Sequence, residues 1–344
     1  ISANIPVKID ANFSFNDGES IADVIAGKIS SMAITTEGRV FTWGDNEEGQ
    51  LGDGTNVEKN TPTDITLNFD FNTGEFIDEV TPGDGFYIAA TTNNRVFGWG
   101  YNSDGNLGNG NDVSQQLPDD ITSVLNLGLE EDVISISAGP DATGILTSTG
   151  RYIVWGYNSD GQVGDGTNEA RYTPIEIQEK FNFVHVLEYS LKNDEMVIDV
   201  SVGRDHFAAV TSYGKLYIWG RNQYGQLGDG TILNTNIPID LTGDLNLGLD
   251  EKVIDVELGE YHSMAITSNG RIFTWGRNQY GQLGNGNTVD SMSPIELPLL
   301  SFDSEIITSI VVSDFSSAAL TSTGRLFAWG QNASGKLGDG TSID

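Results

Sequence analysis

Six Trp-Gly pairs divide the chain into units of nearly constant length, and this repeat constrains the fold more than any other feature of the sequence. The tryptophans of these pairs are Trp43, Trp99, Trp155, Trp219, Trp275 and Trp329. Their successive spacings are 56, 56, 64, 56 and 54 residues. Each unit also carries a proline with nearly the same period, at Pro6, Pro62, Pro118, Pro174, Pro238 and Pro294. Because two independent markers share one period, the chain consists of six copies of one structural unit.

The unit that begins at Pro238 contains short apolar runs and shows no helical periodicity. These runs are Pro238–Leu241, Leu245–Leu247, Val253–Val256, Ser263–Thr267 and Arg271–Trp275. They are rich in β-branched and aromatic residues and are bounded by Gly, Asn, Asp or Ser, a pattern typical of short strands joined by tight turns. An Asn-Gly pair at Asn269 and Gly270 favours a hairpin between the last two runs. The sequence therefore predicts about four short antiparallel strands in each unit.

A single sheet of this size would expose two faces and two edges, so the six units cannot be separate domains. Radial stacking buries both faces of each sheet against its neighbours. We therefore predict an all-β fold, a six-bladed β-propeller of four-stranded antiparallel blades, in one domain over residues 1–344. The repeats run approximately over residues 6–61, 62–117, 118–173, 174–237, 238–293 and 294–344. Each tryptophan offers a large flat surface for packing between blades.

The repeat is out of phase with the ends of the chain. The sequence begins with a proline-containing run and ends shortly after the last Trp-Gly pair. Complete repeats span 8 residues from the last loop glycine to the next proline, and joining the two ends on paper gives 10 between Gly340 and Pro6. We predict that residues 1–10 complete the last blade and close the ring by main-chain hydrogen bonds. The alternatives are an open arc that lacks a blade and completion of a neighbouring molecule's ring.

Residues 271–286 read Arg-Ile-Phe-Thr-Trp-Gly-Arg-Asn-Gln-Tyr-Gly-Gln-Leu-Gly-Asn-Gly and resemble the signature of the regulator of chromosome condensation repeat family. The resemblance recurs six times over the whole chain. Two units also match the family's Gly-x-x-His segment, at Gly203–His206 and Gly259–His262, whereas the other four have Ser30, Phe86, Ala142 and Ser316 in the histidine position. Members usually have seven blades, so six is a departure. The resemblance implies a binding platform, but the fold alone does not choose the partner.

The chain is strongly acidic, and this charge restricts its partners. It has 17 basic and 49 acidic residues, a formal net charge of −32, and no cysteine. Nucleic acids and anionic lipids both require basic side chains to neutralise them, so we expect neither as a partner. No apolar run reaches the roughly 18 residues of a membrane-spanning helix, so we expect no membrane insertion. The acidity favours an extracellular or cell-surface location, with a cytoplasmic one as the alternative.

The residues give no pattern for catalysis, a metal or a cofactor. His206 and His262 occupy a recurrent structural position, and His185 lies in the one insertion of the repeat. The glycine-rich loops are not followed by a helix, which a phosphate-binding loop requires. The EF-hand spacing of calcium ligands does not occur, although the net charge keeps calcium binding as an alternative. We therefore predict no enzyme, no metal and no cofactor.

A difference among the repeats points to a candidate partner site. The units with Trp219 and Trp275 alone have an arginine after Trp-Gly and a tyrosine three residues later, which gives Arg221, Tyr224, Arg277 and Tyr280. Arginine and tyrosine are enriched at interaction hot spots. We predict that these four residues bind a partner, with help from the neighbouring insertion around residues 184–192. The alternative is a recent duplication of the two units, which would copy the residues without any function.

We therefore expect a non-enzymatic protein-interaction scaffold or adhesion module within a larger bacterial surface or secreted protein, with a protein partner. One alternative is a structural subunit that forms homo-oligomers by exchanging its N-terminal strand. The other is a regulatory exchange factor for a small GTPase.

Overall fold

The computed structural model describes residues 7–181, 195–298, 302 and 305–343 as strands, short 3-10 helices and turns. The first strands of the six units are β1 (Ile21–Ala26), β5 (Ile77–Pro82), β9 (Val133–Ala138), β13 (Val197–Val202), β17 (Val253–Leu258) and β21 (Ile307–Val312). The second strands are β2 (Ser30–Thr35), β6 (Phe86–Thr91), β10 (Ala142–Thr147), β14 (His206–Thr211), β18 (His262–Thr267) and β22 (Ser316–Thr321). The third strands are β3 (Val40–Gly44), β7 (Val96–Gly100), β11 (Tyr152–Gly156), β15 (Leu216–Gly220), β19 (Ile272–Gly276) and β23 (Leu326–Gly330). The fourth strands are β4 (Lys59–Asp64), β8 (Gln115–Asp120), β12 (Arg171–Glu176), β16 (Thr235–Asp240) and β20 (Ser291–Leu297).

Each unit forms one antiparallel sheet in which consecutive strands pair, so the predicted all-β fold of small repeated sheets is confirmed. Five sheets have four strands, and the sixth has three within the described residues. One predicted run was wrong: Leu245–Leu247 is not a strand. Leu245 ends a 3-10 helix and is buried, and Asn246 has a left-handed φ of 46°. Its apolar pattern reflects a connection anchored in the core.

Tryptophans join the blades through both packing and hydrogen bonds. The indole Nε1 of Trp219 in the fourth blade donates to the carbonyl oxygen of Gln162 in the third, at 2.8 Å. The same bond from the next blade to the previous one recurs at Trp99, Trp155, Trp275 and Trp329. Close approach requires glycine in the facing loop, because a Cβ at Gly164 would lie 2.6 Å from the Trp219 nitrogen at a φ of +80°. The five interfaces are therefore built alike.

The turns between the first and second strands of all six blades line one axial cavity of about 510 Å³. First strands of consecutive blades also contact each other, from β1 to β5 and onward to β21. The six sheets therefore surround a common axis in chain order. The turns surround one end of this cavity, and we call that end the axial mouth.

The boundary between the sixth and first blades differs from the other five. Leu326 of the sixth blade is 72% exposed, whereas its counterparts in the other blades, Val40, Val96, Tyr152, Leu216 and Ile272, are buried. Within the described residues, the Trp43 indole donates no hydrogen bond, and residues 7–9 lie in no strand. The predicted closure of the ring by the N-terminal strand is therefore not confirmed. His185 and the insertion around residues 184–192 lie outside the described residues.

Candidate functional site

The backbone brings together two side-chain positions of each blade at the axial mouth. The residue after Trp-Gly follows the third strand, and its amide donates to the carbonyl of the residue just before the second strand. In the fourth blade Arg221 N donates to Asp205 O at 2.9 Å, and in the fifth Arg277 N donates to Tyr261 O at 2.9 Å. This pairing fixes the two side chains of each blade next to each other at the same strand end.

Aromatic contacts extend these pairs across the blade boundaries. Tyr224 of the fourth blade packs edge-on against Tyr261 of the fifth, with ring centroids 5.0 Å apart. Tyr280 of the fifth blade packs against Phe315 of the sixth at 5.4 Å, and Tyr261 reaches the same ring at 6.3 Å. We call the resulting group the arginine–aromatic cluster, which comprises Arg204, Arg221, Tyr224, Tyr261, Arg277, Tyr280 and Phe315.

Arg277 lies at the centre of the arginine–aromatic cluster. Its guanidinium carbon is 4.5 Å from the ring centroid of Tyr224, 5.2 Å from that of Tyr261 and 5.8 Å from that of Phe315. A hydrogen bond of 2.6 Å to Gln279 Oε1 uses one of its donors. All nine arginines lie in the described part of the chain, and Arg277 is the one without a carboxylate partner. Its remaining N–H groups can therefore bind an anion from outside the chain.

The other two arginines of the arginine–aromatic cluster have internal partners. Arg221 forms an ion pair with Asp205 at 2.8 Å, and Arg204 forms one with Glu260 across the boundary between the fourth and fifth blades. Burial alone would lower the pKa of Arg221, but the hydrogen bond to Asp205 raises it above its ordinary value. These two arginines are therefore compensated by carboxylates of the chain, which leaves Arg277 as the unpaired cation of the arginine–aromatic cluster.

The structure brings the four predicted partner-site residues into one surface. Tyr224 contacts Arg277 directly, both Arg221 and Arg277 face Tyr261, and Tyr280 is connected through Phe315. Sequence reasoning missed Arg204, Tyr261 and Phe315. A signal for two of these existed, because the residue before the second strand is aromatic only in the fifth and sixth units; the six residues there are Ile29, Gly85, Asp141, Asp205, Tyr261 and Phe315.

The second and third blades present carboxylates at the same end of the strands. Asp141 occupies the position of Tyr261 in its own blade and lines the axial cavity. Burial and the nearby charges of Asp104, Asp205 and Asp84 together raise the pKa of Asp141 to about 6, against the smaller opposing effect of Arg204. One face of the molecule therefore carries arginines and aromatic rings on one side and carboxylates on the other.

The two buried histidines connect blades and are not placed for catalysis. Ser263 Oγ donates its hydrogen bond to Gln226 O at 2.8 Å. His206 Nε2 lies 3.0 Å from the same Oγ and must therefore donate to it, which requires the neutral tautomer with the proton on Nε2. His262 makes the equivalent bond to Ser317, at 2.9 Å. Burial lowers the pKa of both imidazoles to about 3, so they are neutral. The serine hydroxyls serve as structural donors.

The described residues have neither the side-chain groups of a metal site nor a membrane-spanning helix. No group of three or more His, Cys, Asp or Glu side chains there is arranged to hold a metal ion. No helix in that part of the chain is long and apolar enough to span a bilayer.

Comparison with known proteins identifies relatives over the full length of the chain. A family model of the RCC1-like domain matches residues 2–344. The ultraviolet-B receptor UVR8 of Arabidopsis thaliana is 29% identical, over 95% of this chain and 69% of the receptor. The human E3 ubiquitin-protein ligase HERC2 is 30% identical over 94% of this chain, which corresponds to only 6% of that ligase.

Solved structures show the same fold. Human WBSCR16 superposes with a TM-score of 0.76 at 25% identity and covers 95% of this chain and 80% of its own. Yeast RCC1 (Prp20), solved bound to Kap60, superposes with a TM-score of 0.73 at 20% identity and covers 94% of this chain and 73% of its own.

Proposed function

The chain belongs to the RCC1-like domain family, and on this basis we propose that it is a non-enzymatic protein-interaction scaffold that binds its partner at the arginine–aromatic cluster. The observation that carries the proposal is Arg277. Its guanidinium is held over three rings, lacks a carboxylate partner, and retains free donors in a chain of net charge −32. Such an arginine has the chemistry of an interaction hot spot, where rigid aromatic surface surrounds one unsatisfied polar group. The yeast relative bound to Kap60 supports protein binding by this fold.

The test is capture of a partner from lysate of the source cells by the wild-type chain and by an Arg221→Glu/Arg277→Glu double variant. We expect the double variant to lose at least about 10-fold in capture, because it replaces two hot-spot donors by repelling charges. A Lys180→Glu/Lys252→Glu variant is the matched control, since it makes the same change in net charge at two exposed lysines. Lys252 Nζ donates to Ser212 O, at the opposite end of the strands from the axial mouth. Equal capture by all three proteins would rule out the arginine–aromatic cluster as the partner site.

The architecture that we propose with this function is a ring closed by residues 1–10. The 3-10 helix Asp10–Asn12 lies 56 residues before Thr66, where the helix Thr66–Phe69 directly follows strand β4. Phe13 packs on Phe41 and Trp43 much as Phe69 packs on Phe97 and Trp99. In the repeat, the residues before Asp10 are therefore equivalent to the end of β4, the fourth strand that precedes the helix Thr66–Phe69. This equivalence supports their pairing with β23.

The scaffold would act within a larger bacterial surface or secreted protein, as its acidity favours. The chain matches a segment of only 6% of HERC2, which supports its use as one module among others.

A further inference from the structure

Ion pairs between neighbouring blades neutralise several charges at the axial mouth. Lys28 of the first blade pairs with Asp84 of the second, and Arg204 of the fourth pairs with Glu260 of the fifth. Arg277 is left without an oppositely charged partner among the described residues, and so are Asp141 and Asp104. Asp314 also lacks one, but it is exposed to solvent, whereas Asp141 is partly buried.

The unpaired cation and the unpaired carboxylates lie in different sectors of the ring. Arg277 belongs to the fifth blade and Asp141 to the third, and the fifth blade stands across the axis from the second, which carries Asp104. Asp104 lies close enough to Asp141 to raise its pKa, and it is paired with no cation among the described residues. The mouth therefore separates one uncompensated positive group from a pair of uncompensated carboxylates.

We propose that the axial mouth binds an extended segment of a partner protein that places a carboxylate on Arg277 and a lysine or arginine side chain against Asp141 and Asp104. A uniformly acidic segment would be repelled by the second and third blades and by the net charge of the chain. A uniformly basic segment would be repelled by Arg277 and would leave that guanidinium without a carboxylate, whereas Arg204 and Arg221 already have internal carboxylate partners. Only a segment that carries an acidic and a basic residue can pair with Arg277 on one side of the mouth and with the carboxylates on the other. The positions of these groups around the ring set the order of the two charges along the segment.

The aromatic rings of the cluster make the binding of a carboxylate to Arg277 stronger than its binding to an ordinary surface arginine. Tyr224, Tyr261 and Phe315 shield Arg277 from solvent, so a bound carboxylate meets it in a medium of lower effective dielectric. The rings also fix the guanidinium plane, so binding costs less side-chain entropy. Burial of Asp141 acts in the same way on the other side, because a cation from the partner relieves an incompletely solvated carboxylate.

The inference rests on the proposed binding role and adds the chemistry of the bound segment. The probe is a phage-displayed library of random linear dodecapeptides, selected in parallel on the wild-type chain and on the Arg277→Gln, Asp141→Asn and Lys252→Gln variants. We expect the wild type and Lys252→Gln to enrich peptides with one acidic and one basic residue at a fixed spacing. Arg277→Gln should lose the acidic preference alone, and Asp141→Asn the basic preference alone.

An enriched peptide, synthesised with a fluorophore, should bind each mouth variant at least about 10-fold more weakly than the wild type and should weaken with added salt. Thermal unfolding of each variant controls for folding, and Arg277→Lys separates charge from stacking because it keeps only the charge. Failure to enrich any peptide, or enrichment of the same motif with equal affinity on all four proteins, would overturn the inference. If partner capture still depended on Arg221 and Arg277 in that case, the proposed function would stand and only the segment chemistry would fall.

Discussion

A buried asparagine organises the loop that follows each Trp-Gly pair. In the fourth blade Asn222 Nδ2 donates to Asp229 Oδ1 at 3.0 Å and to Thr231 O at 3.2 Å, while its Oδ1 accepts from Leu227 N at 2.9 Å. The same asparagine recurs at Asn46, Asn102, Asn158, Asn278 and Asn332, and all six are buried. The loop that carries Tyr224 is therefore held by one side chain.

We expect Asn222→Ala to destabilise the protein by about 2–4 kcal/mol, because it removes several hydrogen bonds and leaves buried backbone groups unpaired. Urea unfolding followed by tryptophan fluorescence measures the change. Asn236→Ala is the matched control, since Asn236 is half-buried and its side chain bonds only Asn168 among the described residues. We expect it to cost less than about 0.5 kcal/mol. Equal effects of the two substitutions would show that Asn222 does not hold the loop.

The sequence predicted the repeat residues well and named four of the seven residues of the arginine–aromatic cluster, whose role in binding remains a prediction. The tryptophans and loop glycines could be recognised because they recur at one period. The arginine–aromatic cluster could be recognised only in part, because Tyr261 and Phe315 come from turns between first and second strands. The contact between Tyr224 and Tyr261 depends on the packing angle of adjacent blades, which no spacing within one repeat encodes.

At the scale of the elements, neighbouring inner strands carry carboxylates that face each other. Asp199 on β13 and Asp255 on β17 interact directly, and Glu257 follows on β17. Burial, followed by the charge of Asp255, raises the pKa of Asp199 to about 6. Burial and the two aspartates raise the pKa of Glu257 to about 7. Because the folded pKa of Asp199 is above its ordinary value, the stability that this group contributes is lost as the pH rises from about 4 to about 6.

We expect Asp199→Asn to be more stable than the wild type at pH 7.5, by about 1–2 kcal/mol, since asparagine has no proton to lose. The advantage should shrink toward zero near pH 4, where Asp199 is protonated in the wild type. Thermal unfolding at a series of pH values measures the difference, and Asp17→Asn, at an exposed carboxyl group, is the control. A gain that does not depend on pH, or no gain at pH 7.5, would contradict the pKa assignment.

Strand prediction succeeded in runs of four or more residues and failed in a run of three that marks a buried connection. The run Val253–Val256 lies within β17, and Ser263–Thr267 lies within β18. The run Leu245–Leu247 is also mainly apolar, but Leu245 is buried at the end of a 3-10 helix. Three residues are too few to distinguish a strand from a single anchored side chain.

At the scale of the whole molecule, the ring determines which residues can act together. The axial cavity collects turns from all six blades; Asp141 lines it, and Arg277 follows a third strand at the same strand end, next to the turn of the fifth blade. The repeat period predicted the number of blades because each unit carries its own strands. The repeat period does not predict how the last blade meets the first, because that closure requires pairing between residues far apart in sequence.

A designed disulfide tests the ring most directly, because the chain contains no cysteine. Thr63 pairs with Thr42 in the first blade, and the repeat places Val7 and Ala328 at the equivalent positions of the last. Val154→Cys/Ile175→Cys, at an observed pair of β11 and β12, is the positive control, and Val7→Cys alone is the negative control. Under mild oxidation, a closed ring predicts that Val7→Cys/Ala328→Cys forms an intramolecular disulfide in the monomer, seen by non-reducing electrophoresis and mass spectrometry. Covalent dimers and higher species would indicate strand exchange between molecules, and free thiols with a successful positive control would contradict the closed ring.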